Sequence, residues 1–297
     1  MLAQHIRPLT LDDKGVSAVR NMEWEEMMPE VEWARLKAHE LRALAAENAV
    51  VILPIASIEQ HGPHLPVMTD TRLGHEVAVR TARKAYPKRS TVVTPVVWHG
   101  LSEHHMPFGG TLILSHDTFR RVLRDLIESL VRHGFHDILI SNSHGGNIIA
   151  MQQICDELAP HIDATLVATT YVAEAGREIG ALLEDQDNIQ HAGEGETAMM
   201  LACEPDLVDM SDAASLGTER GVGFLRAGRG SYRWRPFTSM TGNGVSGFPA
   251  KATAEKGEAI LEVATDALAA LITDPDTWAA PGDKRGDGTG GVPFRDR

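Results

Sequence analysis

The feature that most constrains this chain is an alternation of short apolar runs with longer amphipathic segments. Four runs, at residues 50–55, 91–98, 136–141 and 164–170, have strand length, β-branched content and turn residues at their ends. Helical patterns separate them at 29–46, 72–86, 117–132 and 148–158, the third opened by Ser115 as N-cap and closed by Gly134. Strands that are apolar throughout read as buried on both faces. The pattern therefore predicts an α/β fold of three layers, with a mostly parallel central sheet and helices on both faces. Further helices are expected at 173–183, 198–203 and 255–272, around a Gly-rich stretch at 211–250. A single domain over 1–280 is expected. Residues 281–297, rich in Gly, Asp and Arg and nearly free of apolar side chains, read as a mobile tail.

Composition narrows the function classes. A chain of 297 residues with 43% apolar content can bury a core, while a net charge of −13 argues against nucleic acid or an anionic membrane as partner. The N-terminus has no secretory leader, and no apolar run reaches the ~18 residues of a membrane span, so a cytoplasmic protein is expected. Cys155 and Cys203 lie in apolar, helix-like segments and read as buried free thiols.

In parallel sheets ligands bind beyond the carboxyl ends of the strands. Three polar clusters fall at such places. The first is Glu59-Gln60-His61-Gly62-Pro63-His64-Leu65-Pro66, with Asp70 beyond it. Glu59, His61, His64 and Asp70 offer imidazole nitrogens and carboxylate oxygens without a thiolate, a donor set that suits zinc, manganese or ferrous iron. If extended, the stretch puts Glu59 and His61 on one face, and the two oxygens of Asp70 can serve two metals. The competing reading is that His61 and His64 merely cap turns around Pro63 and Pro66.

The second cluster, Asn142-Ser143-His144-Gly145-Gly146-Asn147, follows the third strand. Its glycines let backbone approach a bound group, and Asn147 can cap the next helix. A phosphate cradle is the alternative, but neither a Walker lysine nor G-x-G-x-x-G spacing is present. The third cluster is His191-Ala192-Gly193-Glu194-Gly195-Glu196-Thr197. Here one carboxylate can reach a metal while another orients water or a histidine; alternatively both simply suit the first turn of a helix. His104 and His105, in the polar loop 99–111, are candidate substrate contacts, partners that orient the site's other side chains, or exposed loop residues. No G-x-S-x-G elbow exists for a serine nucleophile, and neither cysteine has a polar setting.

Together these segments, with Ser102-Glu103-His104-His105 and the later Gly244-Val245-Ser246-Gly247-Phe248-Pro249, resemble the creatininase (creatinine amidohydrolase) family across about residues 45–272. The resemblance implies a largely parallel α/β domain, a homohexamer, and a site for two divalent ions (Zn, Mn or Fe) that hydrolyses a small cyclic amide or related ring. By position, Glu59, His61, Asp70 and His144 match metal ligands, Asp70 bridging, and His191 matches a proton-handling histidine. The chain departs at Gly146, where creatinine-cleaving members carry a ligand glutamate. Glu196 is expected to replace that carboxylate, Glu194 to serve catalysis, and Gly145 and Gly146 with His104 and His105 to meet substrate. An alternative within the family is carbon–carbon hydrolysis of an inositol-derived cyclic diketone of the 3-dehydro-scyllo-inosose type, for which arginines 220, 226, 229, 233 and 235 are suggestive. A different class altogether is a metal-binding protein without catalysis.

Overall fold

The computed structural model describes residues 29–217, 232–280 and 282. The chain divides into two compact units, Met1–Glu30 and Val31–Arg297, and the architecture below belongs to the second. Its strands are β1 (Val50–Ile55), β2 (Thr91–Val93), β3 (Asp137–Asn142) and β4 (Thr165–Thr170). Its α-helices are α1 (Ala38–Ala46), α2 (Thr69–Ala85), α3 (His116–Arg132), α4 (Ile148–Leu158), α5 (Tyr171–Glu174), α6 (Gly176–Leu182), α7 (Glu194–Cys203), α8 (Ala254–Thr273) and α9 (Pro275–Trp278).

All four strands are parallel, in the order β2-β1-β3-β4, with Val50 level with both Thr91 and Asp137. Successive side chains of a strand point to opposite faces, and both faces here are apolar. Val51, Leu53, Ile55, Ile138 and Ile140 pack with Leu44 of α1, Phe119, Leu123 and Ile127 of α3, and Ile154 of α4. Val50, Ile52 and Leu139 pack instead with Ala78 and Ala82 of α2 and Ile272 of α8. Outside α2 lies a further layer in which α7 and α8 bury Met199, Met200, Ile260 and Leu261. The α/β, helix-on-both-faces architecture is as expected from the sequence.

Several boundaries differ for identifiable reasons. The predicted 29–46 helix begins only at Ala38, because Val31 lies extended beside β2 and accepts a hydrogen bond from Val93 N–H at 2.8 Å. β2 stops at Val93, two residues before Pro95, which has no N–H to give the ladder; Val97 then makes an isolated bridge to Ile55. The 173–183 segment is two helices that meet at Ala175. Asn147 does not cap α4; its side chain binds Leu101 N–H and the Ala56 carbonyl. Two shifts matter more: α2 begins at Thr69 and α7 at Glu194, so Asp70, Glu194 and Glu196 all ride on first helical turns.

Both cysteines are free and partly buried. No helix among the described residues is long and apolar enough to cross a membrane. Residues 281 and 283–297 of the expected tail, and Arg220, Arg226 and Arg229, lie outside the described residues.

Candidate metal centre

Beyond β1 the chain turns back on itself: Glu59 N–H binds the Val67 carbonyl at 3.0 Å, and His61 bridges to Leu65. Gly62, at φ +69°, makes that turn; a side chain there would be strained and would strike Val245. Asp70 is placed by the end of β3. Ser143 Oγ donates to the Asp70 carbonyl at 2.8 Å, and Gly74 lets α2 come this close, since a β-carbon would lie 2.5 Å from Ser143 Oγ. The first turn of α2 is thereby pinned where β1 and β3 end.

Asp70 consequently sits between two histidines. Its Oδ1 is 3.3 Å from His61 Nε2 and its Oδ2 is 3.1 Å from His144 Nδ1. Glu59 Oε2 lies 3.2 Å from the same His144 nitrogen, and Glu196 Oε2 lies 3.6 Å from His61 Nε2. Glu59, Asp70 and His144 thus form one group of converging ligand atoms, and His61, Glu196 and His191 form another, whose His61 also meets Asp70. All of these side chains except that of His191 are buried.

The two histidines are each held by the ring nitrogen that faces away from the carboxylates. His61 Nδ1 is 3.1 Å from the Glu59 carbonyl, and His144 Nε2 is 3.2 Å from the Leu101 carbonyl and 3.1 Å from Ser102 Oγ. A carbonyl only accepts, so these nitrogens carry hydrogen and the opposite ones are left to face the carboxylates. Glu59 Oε2, His61 Nε2 and Asp70 Oδ2 are buried without a well-directed hydrogen bond. Each such orphan costs about 1–3 kcal/mol unless a further partner satisfies it. Converging, orphaned, oxygen-and-imidazole donors fit divalent zinc, manganese or iron.

The electrostatics follow. Burial opposes charge on His61, but Asp70, Glu196 and Glu59 outweigh it and raise its pKa to about 9. His144 is raised well above its ordinary value despite burial, chiefly by Glu59 and Asp70. Burial lifts Glu196 to about 7, against the pull of His61. His191 goes the other way: burial, then the neighbouring His61 and His105, hold its pKa well below the ordinary value.

The remaining expected residues are distributed unevenly. His191 joins the centre, its Nδ1 3.4 Å from Glu59 Oε1. Ala192 after it takes a left-handed φ of +55°, and its N–H binds Glu196 Oε2 at 2.6 Å, coupling the two residues. His105 is buried, with Nε2 3.4 Å from Glu59 Oε1, so it faces the centre rather than an open loop. His104 stacks near-parallel on His144. Gly145 has open space around its Cα, but a β-carbon on Gly146 would lie 2.2 Å from the Leu101 carbonyl oxygen.

Glu194 is not brought to the centre. Its carboxylate accepts from Glu184 N–H at 2.9 Å and Asp185 N–H at 3.1 Å, and also pairs with Lys256. Two residues apart on a helix, Glu194 and Glu196 point in different directions, and only Glu196 faces Asp70 and His61. His64 also turns away, with Nε2 3.0 Å from Thr197 Oγ1. Two site residues carried no signal in the sequence. Gln60 contacts both His105 and His191, and Phe237 covers those rings at centroid distances of 4.4 and 5.0 Å. Phe237 comes from the Gly-rich stretch, which has no periodicity to mark it.

The creatininase family model, described as creatinine amidohydrolase, matches residues 34–272. The mycofactocin precursor peptide peptidase of Mycolicibacterium smegmatis is 30% identical over 224 residues, 74% of this chain and 82% of that protein. The creatinine amidohydrolase of Pseudomonas putida is 28% identical, over 80% of this chain and 94% of its own length. A solved manganese form of creatininase superposes with a TM-score of 0.67 at 26% identity, covering 82% of this chain and 98% of that one.

Proposed function

The chain belongs to the creatininase family, and on that premise we propose that it is a metal-dependent hydrolase cleaving an amide bond in a small substrate. One observation carries the reading: a single buried carboxylate, Asp70, turns one oxygen to His61 and the other to His144. Glu59, Asp70 and His144 would hold one ion, and His61, Asp70 and Glu196 a second. When bound, such ions polarise a carbonyl and make water nucleophilic near neutral pH.

The protein's own residues supply the rest. Glu59 and Asp70 bring the negative charge that would hold cations beyond the ends of β1 and β3. His191 is the proton carrier: its side chain is 13% exposed, against 0–4% for His61, Asp70, Glu59 and His144. A neutral imidazole whose Nδ1 adjoins Glu59 Oε1 can hand its Nδ1 proton to a leaving nitrogen and regain one from water by way of that carboxylate. Phe237, with the His105 ring, shields that transfer from solvent.

A cyclic amide is the substrate class favoured by the family, and creatinine itself is disfavoured by Gly146. A peptide bond is the second reading, supported by the relative in M. smegmatis named as a peptidase. Metal analysis combined with hydrolysis assays on creatinine, hydantoins, formamides, short peptides and cyclic diketones tests the proposal. Amide cleavage abolished by chelation and restored by zinc or manganese supports it; metal-independent cleavage, or cleavage of the diketone alone, overturns it.

A further inference from the structure

Among the described residues a third group of potential ligands adjoins the centre: Glu59 with His105 and His191. Gln60 bears directly on what this group can do. Its Oε1 accepts from Gly62 N–H at 2.9 Å, and its Nε2 donates to the Gly244 carbonyl at 3.2 Å. A backbone N–H only donates and a carbonyl only accepts, so these two contacts fix which end of the amide is nitrogen. The side chain is held there: Gln60 N–H binds Thr111 Oγ1 at 3.1 Å, and a β-carbon on Gly244 would lie 2.0 Å from Gln60 Oε1.

The same Nε2 lies 2.7 Å from His105 Nδ1 and 3.1 Å from His191 Nε2. Two amide hydrogens are thus shared among three acceptors. Opposite an NH2 group a ring nitrogen has to present its lone pair, because an N–H there would meet another N–H. The ring hydrogens are then on the far nitrogens, Nε2 of His105 and Nδ1 of His191. Both far nitrogens are 3.4 Å from Glu59 Oε1. This is the opposite of His61 and His144, whose outer nitrogens meet carbonyls and whose inner nitrogens face the carboxylates, where an ion would take the place of a proton.

We propose that Gln60 is a positioning residue that sets the tautomers of His105 and His191, turning both into N–H donors to Glu59 Oε1 and barring both from metal ligation. Four histidines around one carboxylate pair are thereby sorted by their outer partners: carbonyls make ligands of two, and one side-chain amide makes hydrogen-bond donors of the others. The inference rests on the two-ion reading only for the role of His61 and His144; the tautomers follow from Gln60 alone.

Neutron diffraction from the deuterium-exchanged, zinc-loaded protein tests it. Deuterium is expected on His105 Nε2 and His191 Nδ1; deuterium on the nitrogens facing Gln60 overturns the proposal. Correct deuterons with no zinc beside Asp70 would leave the tautomer assignment standing and overturn the two-ion reading instead. In Gln60→Glu the new carboxylate accepts from the rings, so the inner nitrogens become bare. Zinc titration should then show one more equivalent per chain than wild type, and an unchanged count in folded Gln60→Glu also overturns the proposal. Should that variant not fold, the wild-type neutron map decides.

Discussion

Gly146 lies against Leu101 so closely that a β-carbon on it would be 2.2 Å from the Leu101 carbonyl oxygen and 2.4 Å from His144 Nε2. The Leu101 carbonyl also orients His144. Any side chain at 146 therefore pushes on a ligand-holding contact. Gly146→Glu should not create creatinine hydrolysis, although it restores the residue that creatinine-cleaving members of the family carry. It should instead lower bound metal and the unfolding temperature. A creatinine assay with metal analysis checks this, and new creatininase activity would show that the 99–105 loop repacks.

Glu196 and His191 should separate cleanly. Glu196→Gln keeps the shape but weakens the donor opposite His61, so about half the bound metal should be lost along with activity. His191→Ala should cut turnover by orders of magnitude, within the range of a lost general acid–base, while metal content stays at the wild-type level. Metal analysis of both variants, alongside any amide assay that responds to wild type, distinguishes them. Parallel metal loss in His191→Ala would make His191 a ligand.

The sequence made the fold legible because four apolar runs with helices between them admit few arrangements, and the strand cores at 50–55 and 138–140 were unambiguous. The convergence of Glu59, His61, Asp70 and His144 was legible too, since donor chemistry sits where parallel strands end. Direction was not. Glu194 and Glu196 are both glutamates and both buried, and only the register of α7 turns one toward His61 and the other toward Lys256. Likewise Gln60 reads as an ordinary polar loop residue until Gly62 and Gly244 fix its amide. Asn147 had the right position for a cap, but the Leu101 N–H and Ala56 carbonyl claim its side chain.

Metal-free protein should lose stability as pH rises from 7 to 9. His61 has a folded pKa of about 9 against an ordinary 6.5, and His144 is also raised. A raised pKa stabilises the fold fully below the unfolded value, and that stabilisation is lost as pH climbs through the folded one. For His61 the full loss is on the order of 3 kcal/mol, of which about 2 kcal/mol falls between pH 7 and 9. His64, His104, His105 and His191 are depressed by burial and act in the opposite sense, but only below their ordinary 6.5, outside this window. With zinc bound the ion replaces the protons, so the slope should vanish or reverse. Thermal unfolding of chelated and zinc-loaded protein at pH 7, 8 and 9 measures this directly. A chelated protein with no loss of stability over that interval would refute the assignment.

Glu194 is expected to act on stability and only indirectly on chemistry. It is fully buried, accepts from the Glu184 and Asp185 N–H groups, and pairs with Lys256, which also binds Glu184 and the Lys251 carbonyl. This ties the start of α7 to the start of α8, and α7 carries Glu196. Removing one partner of a largely buried pair leaves the other charge uncompensated, a cost of about 3–5 kcal/mol. Glu194→Ala and Lys256→Ala should each lower the unfolding temperature by several degrees, and the double variant by less than the sum. Folded Glu194→Ala should retain its metal. Loss of metal at full stability would instead place Glu194 in the centre, and additive losses in the double variant would mean that the pair does not act as a unit.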